Sequence, residues 1–296
     1  HMSDPPELHL GLILPNFGDN LTPERLVSAA RAAEDAGFDS GWVTDHVMVP
    51  AAIKDVYGTI LDVMVSLGFL AATTARLKLG VSALIVPQRN PLVVLKQLTT
   101  LDFLSKGRVL TAVAAGWLEG EFRTLNASFQ ERGKIMDAWL ELAVESFDQM
   151  PGPVRHDGHL SVEDAWLAPG LVARPEIWAA GVSNATLKRA TLTGVWHPVA
   201  LRVDDLREMA ASFRDRRPDG RVVLRIDVDF AEEPQADASD ARGRPALAGP
   251  PETLAEGLGA YIEAGCDGFV VNLGHDRDGL EERVARFGEE VVASLS

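Results

Sequence analysis

The chain is 296 residues long, 46% of them hydrophobic, and carries a formal net charge of −15. That acidic balance argues against a general binder of nucleic acid or anionic membrane, because neutralising phosphates needs clustered Lys and Arg. A small anionic ligand stays compatible, since backbone N–H groups and a few arginines can hold one. The single cysteine, Cys266, leaves no partner for a disulfide within the chain and fits a reducing compartment. It stands at a helix-to-strand junction, where a small buried hydrophobe is the plain reading. No signal-peptide pattern is found and no apolar span is long enough to cross a bilayer, so a cytoplasmic protein without membrane partners is expected. His1–Met2 reads as a cloning scar and is set aside from fold reasoning.

In chain order, short apolar runs alternate with amphipathic helical segments. HLGLILP (9–15) reads as a strand. Thr22 then caps a helix that Pro23 opens and Gly37 ends, with Leu26, Ala30 and Ala33 on one face. A strand is predicted over 40–44, a helix over 61–75, a strand over 77–86, a helix over 91–107 and a strand over 108–116. WLEGEF leads into a helical region that runs to about Gln149. Beyond it come a strand over 176–181, a helix over 184–194, a weak strand near VWHPVAL and a helix over 204–216. A strand over 221–230, a helix over 251–265, a strand over 268–274 and a terminal helix complete the pattern. The segments 46–60, 150–175 and 231–250 read as long loops, which in a compact domain are usually functional or disordered.

Close to eight strands alternate with eight helices, the pattern of a parallel sheet with helices outside it. AGFDSGWV (36–43) and AGCDGFVV (264–271) repeat one helix-end, turn and strand unit. No GxGxxG follows the first strand, which counts against a dinucleotide-binding open sheet. The fold class expected is therefore α/β, a (β/α)8 TIM barrel with inserted loops, forming a single domain over residues 3–296.

In such a barrel the active site lies where strands run into their following loops. Those ends hold Asn16 and Phe17, Asp45 and His46, Ser82, Gly116 and Trp117, Gly181 and Ser183, and Trp196 and His197. Asp227 and Asp229, and Asn272 and His275, close the ring. His46 is the acid/base candidate, because a free imidazole with a pKa of about 6.5 both accepts and donates protons near neutrality. Asp45 could orient that ring or cap a local turn; neighbours on an extended strand point to opposite sides, so direct pairing is not implied. Ser183 or Asn184 can cap a helix whose free N–H groups form an anion site, or serve as an ordinary cap. Gly116 permits close backbone approach and Trp117 offers a flat apolar face. Glu119 and Glu121 read as solvated helix-start charges. Asp227 and Asp229 have no His or Cys at ligand spacing, so no metal site is expected.

Long collinear stretches resemble the bacterial luciferase-like monooxygenase superfamily, and within it the branch that uses the deazaflavin cofactor F420. They are LILPNFGDNLTPERLVSAARAAEDAGFDSGWVTDHVMVP, ARLKLGVSALIVPQRNPLVVLKQLTTLDFLSKGRV, GWLEGEF with FQERGKIMDAWLE, PEIWAAGVSNATLKRA, WHP and PPETLAEGLGAYIEAGCDGFVV. The resemblance implies a TIM barrel, usually a homodimer, with the redox ring in the barrel mouth. It places Asp45 and His46 beside that ring, His46 as a base facing a small-molecule substrate. It sets Ser82 and Ala83 at a non-proline cis peptide behind the ring, and Ala115, Gly116 and Trp117 along the cofactor. Ala180, Gly181, Val182 and Ser183 would grip the phosphate, with Asn16 also on the cofactor side. Phe17, Trp196 and His197 would face substrate, and Arg155, Arg174 and Arg202 are candidates for a longer anionic tail. The activity implied is hydride transfer between F420 and a small organic substrate, with an FMN-dependent monooxygenase as the alternative. A third reading, a cofactor-poor binding paralogue, arises from Ala112, Ala114 and Ala180, which stand where relatives often carry glycine.

Overall fold

Most strands of the parallel sheet are near-continuous buried apolar runs, as parallel strands flanked by helices must be. The protein is described by a computed structural model covering residues 8–295; His1–Met2, expected to be a cloning scar, lie outside the described residues. The first elements are β1 (His9–Ile13), α1 (Pro23–Asp35), β2 (Ser40–Val43), the short α2 (Lys54–Tyr57) and α3 (Val63–Thr73). Next come β3 (Lys78–Val81), β4 (Leu84–Ile85), α4 (Pro91–Ser105), β5 (Leu110–Ala114), α5 (Glu119–Thr124) and α6 (Arg132–Gln149). Then follow β6 (Gly152–His156), β7 (Val162–Leu167), β8 (Glu176–Ala180), α7 (Asn184–Thr193), β9 (Val195–His197) and α8 (Val203–Arg214). The chain closes with β10 (Arg221–Phe230), β11 (Ala246–Gly249), α9 (Pro251–Glu263), β12 (Gly268–Asn272) and α10 (Leu280–Arg286).

Internal contacts divide the described residues into two units. One comprises 8–15, 22–42 and 178–295. Its sheet is parallel: β1 pairs with β2 (Gly11 opposite Ser40) and with β12 (Leu10 opposite Phe269), and β12 pairs with β10 (Val271 opposite Ile226). β9 joins β10 through Trp196 and Val222, β8 joins β9, and β11 runs along the far end of β10. Trp42, Trp178, Trp196, Phe213 and Phe269 are wholly buried here. Cys266 is buried too, and its burial pushes the thiol up to about 12, which suits an inert packing residue.

The second unit comprises 16–21 and 43–177. β4 pairs in parallel with β5 (Leu84 opposite Val113), and Leu79 of β3 bridges Val109. α3 packs on α4. Helix ends follow local chemistry: Thr22, Asp62, Asn90 and Ser183 cap with their side chains, and Gly194 ends α7 at φ +81°.

The fold class is the expected one, a mostly parallel α/β sheet of TIM-barrel type. Several expected elements differ in detail. The strand expected over 77–86 is two strands, broken at the Ser82–Ala83 peptide. The helical region after WLEGEF is two helices, separated at Asn126, which adopts φ +54°. The loop expected over 150–175 contains the antiparallel β6–β7 hairpin, whose sparse inward residues Val154, Val162 and Leu167 make a weak apolar signal. The loop expected over 231–250 contains β11, and 46–60 contains α2.

Candidate active site

In the second unit the site is organised where β2 ends. Asn16, wholly buried, clips the next residue from both sides: its Nδ2 donates to the Thr44 carbonyl at 2.8 Å, and its Oδ1 accepts from the Thr44 N–H at 2.8 Å. The Asn16 amide thus fixes the backbone from which Asp45 and His46 diverge. Their carboxylate and imidazole take separate partners, as the alternation of side chains along extended backbone requires.

Asp45 is buried against Arg89. The guanidinium makes a two-pronged contact, Nη2 to Oδ1 at 2.6 Å and Nη1 to Oδ2 at 2.8 Å, and the Ile85 N–H donates to Oδ2 at 2.9 Å. Burial by itself lowers the Arg89 pKa, but the charge and hydrogen bonds of Asp45 outweigh it and hold the guanidinium above its ordinary value. Asp45 therefore orients no imidazole; it ties the end of β2 to the turn after β4.

His46 turns to Glu121. Its Nδ1 lies 2.8 Å from Glu121 Oε2. Glu121 is wholly buried, which corrects its expected solvent exposure. Its Oε1 accepts from the backbone N–H of Val47 at 2.6 Å and of Met48 at 3.2 Å, and Oε2 accepts from Gln88 Nε2 at 2.9 Å. Burial raises a carboxyl pKa, but the hydrogen bonds from His46, Val47 and Gln88 prevail and draw it down to about 2. The reason is that α5 turns its third residue inward, beside buried Phe122, against the chain following β2. One local signal marks this approach. A Cβ at Gly120 would stand 2.8 Å from Pro50 Cγ, so only glycine lets that chain lie on α5.

Around the imidazole stand aromatic rings. Tyr57 has its centroid 4.3 Å from that of His46, Trp117 meets it edge-on at 6.2 Å, and Phe17 packs on Tyr57 at 5.6 Å. Trp117 is half exposed, and Val47, Met48, Val56 and Leu61 are exposed in the same unit. Gly116 takes φ +89°, and a Cβ there would come within 2.7 Å of Ile85 and Phe122. Ala115 and Ala83 are each half-buried, and the Ser82–Ala83 peptide is cis, at the position the resemblance implied. The Arg174 guanidinium is taken up by Asp148 and the Val144 carbonyl.

In the first unit, β8 ends in buried Ala180 and then Gly181 at φ +127°. Ser183 accepts from the Thr186 N–H at 3.2 Å and caps α7, leaving Val182 and the first turn exposed. Trp196 and His197, expected to face substrate, are both wholly buried. Trp196 is buried against Phe213 and donates from Nε1 to the Gly181 carbonyl at 2.8 Å, holding that turn. His197 donates from Nδ1 to the Val223 carbonyl at 2.6 Å and stacks on Trp42. Complete burial lowers its pKa to about 3, so it stays neutral. Asp227 accepts from Asn272 and Asp229 pairs with Arg277; no group of metal-ligating side chains is found among the described residues. Of the three alanines in place of glycine, Ala112 and Ala180 are buried within protein, and only Ala114 is partly exposed.

Comparison with known proteins agrees with this architecture. An uncharacterized protein of Mycobacterium tuberculosis is 26% identical over 284 residues, covering 86% of this chain and 96% of its own. An FMNH(2)-dependent dimethylsulfone monooxygenase of Pseudomonas fluorescens is 25% identical, covering 89% of this chain and 84% of its own. The solved structure of a coenzyme F420-dependent tetrahydromethanopterin reductase from Methanopyrus kandleri superposes with a TM-score of 0.80 at 16% identity, over 98% of this chain and all of its own. The model of the luciferase-like monooxygenase family matches residues 8–243, and the chain is a member of that family.

Proposed function

We propose that the protein is an oxidoreductase that transfers a hydride between F420 and a small organic substrate, with His46 moving the accompanying proton. The observation that carries this reading is the buried His46–Glu121 pair. Its Nδ1 is committed to Glu121, while Nε2 has no hydrogen-bond partner among the described residues. One ring nitrogen is thus anchored and the other is available for a proton that ends on, or comes from, a substrate oxygen or nitrogen.

The residues present fit a phosphate-bearing redox cofactor. The exposed first turn of α7 offers N–H groups without intrahelical partners, and the Gly181 conformation opens that turn. Gly181, Val182 and Ser183 would hold its phosphate. When bound, F420 supplies a two-electron hydride donor or acceptor. The exposed apolar side chains of Met48 and Trp117 favour an uncharged, largely apolar substrate, and they shield its reacting end from water. We further propose that residues 3–296 act as one cytoplasmic domain.

The Pseudomonas relative, named for FMNH(2), favours a second reading, a reduced-flavin monooxygenase. A fluorescence titration with F420 and with FMN separates the two. F420 is expected to bind with a micromolar or tighter Kd and FMN at least tenfold more weakly. Gly181→Ala is expected to weaken binding tenfold or more, because its Cβ would lie 2.9 Å from Thr186 Oγ1 at a φ that disfavours alanine. The reverse order of affinities would support oxygen insertion, and binding of neither would support a cofactor-poor binding protein.

A second copy of the chain is proposed as partner. Val65 and Phe69 of α3 and Leu92, Val93, Phe103 and Leu104 of α4 are exposed on two helices that pack on each other, and exposed apolar side chains of this kind suit an interface. Light scattering is expected to give twice the chain mass of 31.9 kDa, and Phe103→Glu with Leu104→Glu to shift it toward one. A monomeric wild type would remove this proposal.

A further inference from the structure

We infer that Glu121 is a positioning residue that sets the tautomer of His46, holding the hydrogen on Nδ1 so that Nε2 is presented as a bare proton acceptor. The inference rests on the functional reading above for its purpose, but not for its geometry. Glu121 receives four donors: the N–H groups of Val47 and Met48 on Oε1, and Gln88 Nε2 and His46 Nδ1 at Oε2. A carboxylate so surrounded has no hydrogen to give, so the hydrogen in the contact with His46 belongs to Nδ1. In the neutral ring Nε2 then carries the lone pair.

Gln88 supplies an independent sign that Glu121 is ionised. It turns its NH2 to the carboxylate and leaves its own Oε1 buried without a partner. An orphaned acceptor costs free energy, and rotating the amide would set oxygen against oxygen. The orphan is the smaller penalty only if Glu121 bears the charge. The other groups packed on the imidazole, Tyr57 and Trp117, are neutral rings. Arg89, whose charge is felt by Glu121, is neutralised by Asp45, with Asp62 also acting on it. No other charge competes for Nδ1 among these neighbours.

Glu121→Gln inverts the arrangement without changing shape. Two backbone N–H groups hold the side-chain oxygen at the Oε1 position, so the new NH2 takes the place of Oε2 and faces Nδ1. Gln88 can then turn its idle Oε1 toward that NH2. Nδ1 becomes an acceptor and the ring hydrogen moves to Nε2.

The test is two-bond 1H–15N NMR on 15N-histidine-labelled, cofactor-free protein at pH 8, with His46 assigned by its loss in His46→Asn. Wild type is expected to show a protonated Nδ1 and a pyridine-like Nε2, E121Q the reverse. Turnover by E121Q with bound cofactor is expected to fall at least 100-fold, with cofactor Kd changed less than threefold. A wild-type His46 already protonated on Nε2, or an unchanged tautomer in a folded E121Q, would overturn the inference. If E121Q does not fold, the wild-type spectrum alone decides, with Gln88→Met as the control expected to keep the Nδ1–H form. Inversion without any cofactor binding would sink the functional reading and leave the positioning role standing.

Discussion

His46→Asn is expected to lower turnover by about two to four orders of magnitude, the range over which one positioned acid or base contributes. Asparagine retains an N–H close to the place of Nδ1, so it can still donate to Glu121 and spare that carboxylate a lost partner. What it removes is Nε2, the nitrogen to which the proton transfer is assigned. Cofactor affinity should therefore change less than about threefold, since the turn at Gly181–Ser183, proposed to hold the phosphate, belongs to another part of the chain. Steady-state kinetics alongside a fluorescence titration of the same preparation separate the two effects. Unchanged turnover in a variant that binds cofactor normally would exclude His46 as the proton carrier. A loss of affinity equal to the loss of turnover would make it a binding residue instead.

The larger effect on stability is expected at Arg89. Its guanidinium is the sole cation on the Asp45 carboxylate among the contacts described, and the Asp45 side chain is wholly buried. Arg89→Ala strands an ionised carboxylate in a region of low dielectric, with one backbone N–H from Ile85 as compensation. Breaking one half of a buried pair in this way costs about 3–5 kcal/mol, whereas removing both charges costs much less. Urea unfolding should thus place Arg89→Ala well below wild type, with Asp45→Asn/Arg89→Met recovering most of the loss. A deficit under about 1 kcal/mol for the single variant would show that solvent reaches Asp45 more readily than its burial indicates. Because Asp45 precedes His46, the same variant is also expected to loosen the chain that carries the proposed proton carrier and to lower turnover.

The structure also explains why two acids with similar local surroundings in sequence behave so differently. Glu119 and Glu121 share one short helix start, GWLEGEF, in which only Gly120 hints at a close approach. Glu119 is exposed, and Glu121 sits under the chain that follows β2. The difference comes from the direction in which α5 leaves β5, and that direction is decided by packing of Phe122 and by the close approach of Pro50 to Gly120.

The amino-acid order determined whatever depends on near neighbours. The strand expected over 221–230 is β10 to the residue, because apolar periodicity is local. Thr22 and Ser183 cap, and Gly194 terminates, because a cap needs only the next turn of helix. The family membership was legible as well, in long collinear motifs, and with it the cis bond between Ser82 and Ala83. The tertiary structure alone decided the partners. His46 meets a residue 75 positions away and Asp45 one 44 positions away, while Trp196 and His197 turn into the core. A hydrogen bond at such separation leaves no periodic trace in the chain. It exists because strands and helices, each specified locally, pack in one arrangement that brings those side chains within reach and excludes water from between them.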